Sequence, residues 1–260
     1  AVGTHALFQE DIAFQRLVLA IVDEQHRFGV HQRLQLREKG QHEGRFPHQL
    51  VMTATPIPRT LAMTAYADLD VSIIDELPPG RTPVRTVVLP DARRDEVVAR
   101  IEAGCRAGRQ AYWVCPLIED GAKDVDVGDA ARGPSQALDL RNATQTHAEL
   151  SAALPGHVVG LLHGRMKTAE KAQVMAQFTA GQVKVLVATT VIEVGVDVPN
   201  ASLMVVEHAE RFGLSQLHQL RGRVGRGSAA SVCVLLYSAP LSDTGKARLK
   251  ALLDTHDGFE

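Results

Sequence analysis

Short apolar runs alternate along the chain with longer stretches whose apolar residues recur every three or four positions. The runs are Leu17–Val22, Gln49–Met52, Ala111–Cys115, Val158–Leu162, Val183–Val187, Leu203–Val206 and Val232–Leu236. Nearly continuous and rich in β-branched residues, they predict strands buried on both faces of a parallel sheet. Between them, helical spacing is clearest over Arg93–Arg106, Ala148–Leu154 and Thr168–Phe178. In the last of these, Ala169, Ala172, Val174, Met175 and Phe178 form one side, while Glu170, Lys171 and Gln173 face out. Strand and helix alternating in this way predict a doubly wound α/β fold.

The periodicity breaks twice. Leu77-Pro78-Pro79-Gly80-Arg81-Thr82-Pro83 can continue neither a helix nor a strand, so domains are expected over 1–77 and 84–260 with a linker at 78–83. Glu119–Gln136 is polar and poor in large apolar residues, which predicts a mobile surface insertion in the second domain.

Composition narrows the class. With 45% hydrophobic and 22% charged residues the chain is that of a globular protein, not a disordered one. Its formal net charge of −2 means that any contact with phosphates must come from local clusters. Three cysteines without C-x-x-C spacing point to a reduced, cytoplasmic setting and argue against zinc. No apolar run approaches the roughly 20 residues of a membrane helix, so no membrane association is expected. Neither Met nor a signal-peptide pattern precedes Val2, so a partial sequence is expected, with a genuine short protein as the alternative.

Chemistry-bearing residues follow the predicted strands. Asp23-Glu24-Gln25-His26 comes after the first, where side chains project into the crevice at the carboxyl end of a parallel sheet. There Asp23 can hold Mg²⁺ while Glu24 orients or deprotonates a water; a solvated acidic turn is the plain alternative. Thr53-Ala54-Thr55-Pro56 follows the second strand, and by itself reads as a capped helix start. His163-Gly164-Arg165-Met166 could bring Arg165 to a phosphate, or be an ordinary turn. In Ala188–Asp197, hydroxyls at a strand end can meet backbone phosphate, and Asp197 can accept from a ribose hydroxyl. Gln219-Leu220-Arg221-Gly222-Arg223-Val224-Gly225-Arg226 carries guanidinium groups that match phosphate oxygens bidentately and stabilise charge in phosphoryl transfer. A P-loop, G-x-x-x-x-G-K-[ST], is absent: Gly245-Lys246 is followed by Ala247, and Pro240 takes the place of the first glycine.

Taken in order, these segments resemble motifs II to VI of the superfamily 2 helicases. The likeness extends over almost the whole chain outside Glu119–Gln136. Within that superfamily the chain resembles most the bacterial ATP-dependent helicases that remodel branched DNA and stalled forks in repair and recombination. Transcription-repair coupling factors share the arginine stretch, but their motif II usually reads Asp-Glu-Glu where this chain has Gln25-His26. The resemblance implies two RecA-like parallel-sheet lobes with helices on both faces, the first incomplete, around ATP and Mg²⁺. The first lobe would be its C-terminal part, over 1–77. Asp23 would serve Mg²⁺ and Glu24 would be the catalytic carboxylate, with Arg223 and Arg226 as arginine fingers. Gln219, Gly195 and Asp197 would belong to the nucleotide site. Coupling of hydrolysis to movement would fall to His26, Thr53 and Thr55, and DNA contact to Thr4, Arg165 and Thr189. Branched or forked DNA and single-stranded-DNA-binding protein would be partners. A non-catalytic DNA- or partner-binding module is the reading from another class, motivated by the missing P-loop, and an RNA helicase is a third.

Overall fold

The computed structural model describes residues 1–9, 11–23, 38–39, 45–53, 82–116, 135–189, 198–225 and 229–254, with single positions at 70, 72, 74, 76 and 227. The chain divides into two compact units, residues 1–71 and 72–258.

In the first unit, β1 (Leu19–Val22) and β2 (His48–Val51) pair in parallel, Leu19 opposite His48 and Val22 opposite Val51. The ladder runs on at both ends, where His48 N donates to Val18 O and Met52 N to Val22 O, each at 2.8 Å. Ala20 and Val22 are buried, with Leu17 packed against them, whereas Leu19, Ile21 and Leu50 are exposed. Burial on both faces, expected from the apolar runs, therefore does not hold for the described part of this unit: β1 buries alternate residues only.

The second unit is built on six parallel strands: β3 (Arg85–Pro90), β4 (Gln110–Cys115), β5 (Val158–Leu162), β6 (Val183–Thr189), β7 (Ala201–Val206) and β8 (Val232–Tyr237). Their order across the sheet is β3-β8-β7-β4-β6-β5. Every residue of β4 and β7 is buried, as continuous apolar runs demand of central strands. The strand that periodicity did not reveal is β3. It lies at the sheet edge, is half-buried and ends in Pro90, where a missing N–H is tolerated.

Helices α1 (Arg94–Arg106) and α2 (Ser135–Ala153) cover one face. Val97, Ile101, Ala143 and Leu150 pack there on Trp113, Val185, Val187 and Val205. Helices α3 (Thr168–Thr179), α4 (Leu214–Arg221) and α5 (Asp243–Asp254) cover the other. There Met175, Phe178, Leu217, Leu249 and Leu252 pack on Tyr112, Leu186, Met204 and Leu235. Connections that move across the sheet in one direction thus use one face and the returns use the opposite face, as right-handed crossovers require. Burial of Trp113, Phe178, Phe212 and each large aliphatic contributes about 1.5–3 kcal/mol per side chain.

Helix α2 is longer than its amphipathic part suggested, beginning at Ser135 inside the stretch expected to be an insertion; residues 117–134 lie outside the described residues. The linker expected at 78–83 is described only from Thr82 onward. Gly245-Lys246 falls within α5, where regular helix offers no loop to surround a phosphate.

Candidate functional site

Asp23, Thr53, Arg165 and Thr189 stand at or just beyond the carboxyl ends of strands, whereas the arginine motif begins in a helix. In the first unit, Asp23 follows Val22 directly and Thr53 stands two positions beyond Val51, so both leave neighbouring strands at the same end. Asp23 is exposed and Thr53 half-buried. The Asp23 carboxylate is a hard oxygen donor of the kind Mg²⁺ accepts alongside water. Thr4, exposed, precedes a 3-10 turn at His5–Phe8.

In the second unit, β5 and β6 are neighbours, with Leu162 opposite Ala188. His163-Gly164-Arg165-Met166 is a turn closed by Met166 N donating to His163 O at 3.2 Å, and Lys171 Nζ donates to Gly164 O at 2.9 Å. The turn leaves Arg165 exposed. Burial first, and then the Lys171 and Arg165 cations, hold the His163 imidazole below its ordinary value. At the next strand tip, Thr189 is only 3% exposed, and its hydroxyl has no hydrogen-bond partner among the described residues. An orphaned buried hydroxyl next to a basic turn suits an acceptor supplied from outside.

The arginine motif begins in α4. Gly213 N donates to Gln216 Oε1 at 2.9 Å, closing the first turn, and Leu217, Leu220 and Val224 anchor the segment in the core. Its arginines then part company. Arg221 turns inward and is 6% exposed. There Nη1 donates to Leu252 O at 3.1 Å, and Nη2 lies 3.0 Å from His218 Nδ1. Burial pushes its pKa below the ordinary guanidinium value. Arg223 and Gln219 are half-buried. Gly225 has φ 79°, and a Cβ there would lie 2.8 Å from Val84 Cγ2, so both backbone and space call for glycine. Gly222, with φ −68°, is in ordinary helical conformation.

A polar cluster that sequence spacing did not reveal lies at the carboxyl ends of β3, β4, β7 and β8, around a cavity of about 320 Å³. Arg94 Nε donates to Glu207 Oε1 at 2.7 Å, and Arg94 also pairs with Glu149 at 3.1 Å. Thr146 Oγ1 donates to Glu207 Oε2 at 3.3 Å, and the Cys115 thiol lies 3.7 Å from the same oxygen. Burial and the neighbouring Glu207 charge push that thiol up to about 12, which keeps it protonated. The Arg94 guanidinium also lies over the Trp113 ring, 5.2 Å from its centroid. Glu207 leads to His208, a non-glycine residue at φ 49°. Ser238 Oγ, 3.1 Å from His208 Nδ1, donates to Asp91 Oδ2 at 2.7 Å. This cluster fixes where the chain leaves β7 for the arginine motif.

Glu24, His26, Thr55, Gly195, Asp197 and Arg226 lie outside the described residues. Cys105, Cys115 and Cys233 are buried and free, so no disulfide links them. Among the described residues no helix is long and apolar enough to cross a membrane.

The second unit, parallel strands with helices on both faces, is an α/β fold that resembles the RecA-like lobes of helicases. The Helicase conserved C-terminal domain family matches residues 135–228. More particularly, the chain is homologous to the RecG helicases along its whole length. It is 63% identical over 259 residues to the ATP-dependent DNA helicase RecG of Escherichia coli, covering 99% of this chain and 35% of that protein. It is 50% identical to the Bacillus subtilis RecG, again over 35% of the relative. The chain thus spans about a third of the length of these curated relatives. A solved structure of RecG bound to a three-way DNA junction superposes with TM-score 0.73 at 42% identity, over 99% of this chain and 31% of that one. Yeast Dbp5, solved with RNA and ADP BeF3, shares the fold at TM-score 0.62 and 16% identity, over 98% of this chain and 62% of that one.

Proposed function

We propose that this chain is the portion of an ATP-dependent DNA helicase motor that spans the end of lobe one (1–77), the inter-lobe linker (78–83) and lobe two (84–260). The observation that carries the reading is 63% identity to a RecG over 259 residues, and Asp23, Thr53, Arg165 and Thr189 at or just beyond the ends of parallel strands support it. Branched DNA is the substrate this supports, since the RecG structure that superposes on the chain holds a three-way junction. A cytoplasmic setting and single-stranded-DNA-binding protein as a partner complete the reading.

The resemblance to the helicase motifs implies a role for each residue. Asp23 would hold Mg²⁺, which supplies charge neutralisation between the phosphates when bound. Glu24 orients the attacking water and takes its proton. Arg223 and Arg226 place guanidinium charge where phosphoryl transfer develops negative charge, and Gln219 helps to position the phosphates. Arg165 and the Thr189 hydroxyl contact the DNA backbone, as Thr4 does from lobe one. Gly195 and Asp197 belong to the nucleotide site, and His26, Thr53 and Thr55 couple the nucleotide state to DNA.

Without a P-loop in its 260 residues, the chain by itself hydrolyses ATP negligibly. The test is exchange: this chain replaces the matching third of the Escherichia coli RecG, and ATP turnover is followed with forked DNA added. The chimera is expected to hydrolyse ATP in response to the fork while the isolated chain does not. A folded chimera without fork-stimulated turnover contradicts the proposal.

A further inference from the structure

The face of the second unit's sheet that carries α1 and α2 is unevenly covered. Helix α2 lies over its β5 and β6 side, while α1 leaves a trough of about 460 Å³ toward the β3 edge. Val87 and Leu89 of β3 and Val232 and Val234 of β8 form the floor, with Val97 and Ile101 of α1 as one wall. The floor residues are only half-buried, and β3 has no neighbour on its outer side among the described strands.

Arginines stand around this apolar floor. Arg93 is paired with Glu96 at 2.6 Å, but Arg85, Arg100 and Arg109 make no ion pair with any described acid. In a chain of formal net charge −2, four arginines against the Glu96 carboxylate around one trough, with Arg93 and Arg100 both acting on that carboxylate, are a local excess of positive charge. We propose that this trough is a docking site for an acidic peptide segment of a partner protein, whose apolar side chains enter between α1 and β3 while its carboxylates meet Arg85, Arg100 and Arg109. Nucleic acid suits it less well. No aromatic, amide or hydroxyl side chain lines the trough to stack on a base or read one, and a phosphate backbone would leave the valine floor uncovered. Apolar side chains flanked by carboxylates satisfy both parts at once. The site is separate from the strand ends assigned to nucleotide and DNA, so its test stands apart from theirs.

The test is fluorescence anisotropy on the 260-residue chain at low salt, with a fluorescein-labelled peptide Asp-Asp-Leu-Asp-Phe-Asp-Leu. Two further peptides accompany it, one with Lys for each Asp and one with Ser for each Leu and Phe. The acidic apolar peptide is expected to bind best. The double variant Arg85→Glu, Arg100→Glu, both at exposed positions, is expected to weaken it about tenfold and to improve binding of the lysine peptide. Equal affinity for acidic and lysine peptides, or no change in the double variant, overturns the proposal. Retained binding of the serine peptide overturns the role of the trough. Displacement of the acidic peptide by a single-stranded oligonucleotide that itself depends on Arg85 and Arg100 overturns the choice of a protein partner.

Discussion

Arg221 Nη1 donates to the backbone carbonyl of Leu252 at 3.1 Å, tying the end of α4 to α5 across 31 positions of sequence. The guanidinium is 6% exposed and its pKa is lowered by burial, so this arginine is held inside the fold while Arg223, two residues on, is only half-buried. One motif thus contains two arginines of different burial, the inner of which fixes the backbone. Replacing Arg221 with Met leaves the Leu252 carbonyl without its donor, at a cost of about 1–3 kcal/mol. Arg221→Lys should recover little, because a single ammonium cannot reach Leu252 O and His218 with the geometry of a planar fork. Urea denaturation of the second unit, residues 72–258 within the whole chain, measures both.

Glu207 gives a second case. Its Oε1 accepts from Arg94 at 2.7 Å and its Oε2 from Thr146 at 3.3 Å, with both partners of the ion pair largely shielded from water. Glu207→Gln leaves Arg94 with Glu149 alone and should destabilise the fold by about 1–2 kcal/mol, below the range for a fully buried pair. A double-mutant cycle with Arg94→Met should return a coupling energy of the same sign, since the two side chains are in direct contact.

Gly225 is required twice over, by φ 79° and by the approach of Val84 to within 2.8 Å of a would-be Cβ. Gly225→Ala should cost about 1–3 kcal/mol from the backbone alone, with the clash in addition. Val84→Ala in the same chain should recover the clash but not the backbone part. Full recovery in the double variant would show that the conformation of the backbone at 225 matters little.

His163 makes stability depend on pH. Its folded-state pKa is depressed below the ordinary 6.5, so in the window below that value the unfolded chain binds more protons than the folded one. Stability should therefore be full above pH 6.5 and fall as the pH drops through 6.5 toward the folded-state value. His163→Gln, which cannot take up a proton, should flatten this decline. Urea midpoints for the two proteins across that range give the comparison.

The strands were legible wherever the sheet is central. Ala111–Cys115 and Leu203–Val206 are apolar without interruption because β4 and β7 are covered on both sides. Arg85–Pro90 was not, because its apolar run is only Val87–Leu89 between Thr86 and Pro90, whereas the other edge strand, Val158–Leu162, has apolar residues or glycine throughout. Candidate chemistry could be read at strand tips, where Asp23, Thr53, Arg165 and Thr189 all stand. The contacts that hold those tips in place could not. Arg94 and Glu207 are 113 positions apart, and only the sheet order brings them together. Likewise nothing in the spacing of Arg221, Arg223 and Arg226 distinguishes the arginine that turns inward.

The most direct measurement is fork-stimulated ATP turnover by the chimera that carries this chain in the Escherichia coli RecG, with Arg223→Ala and Arg221→Met compared at a temperature where both are folded. The account predicts that folded Arg223→Ala lowers kcat about a thousandfold or more, as loss of an arginine finger does, whereas folded Arg221→Met keeps most of its turnover. Full turnover by Arg223→Ala would contradict it.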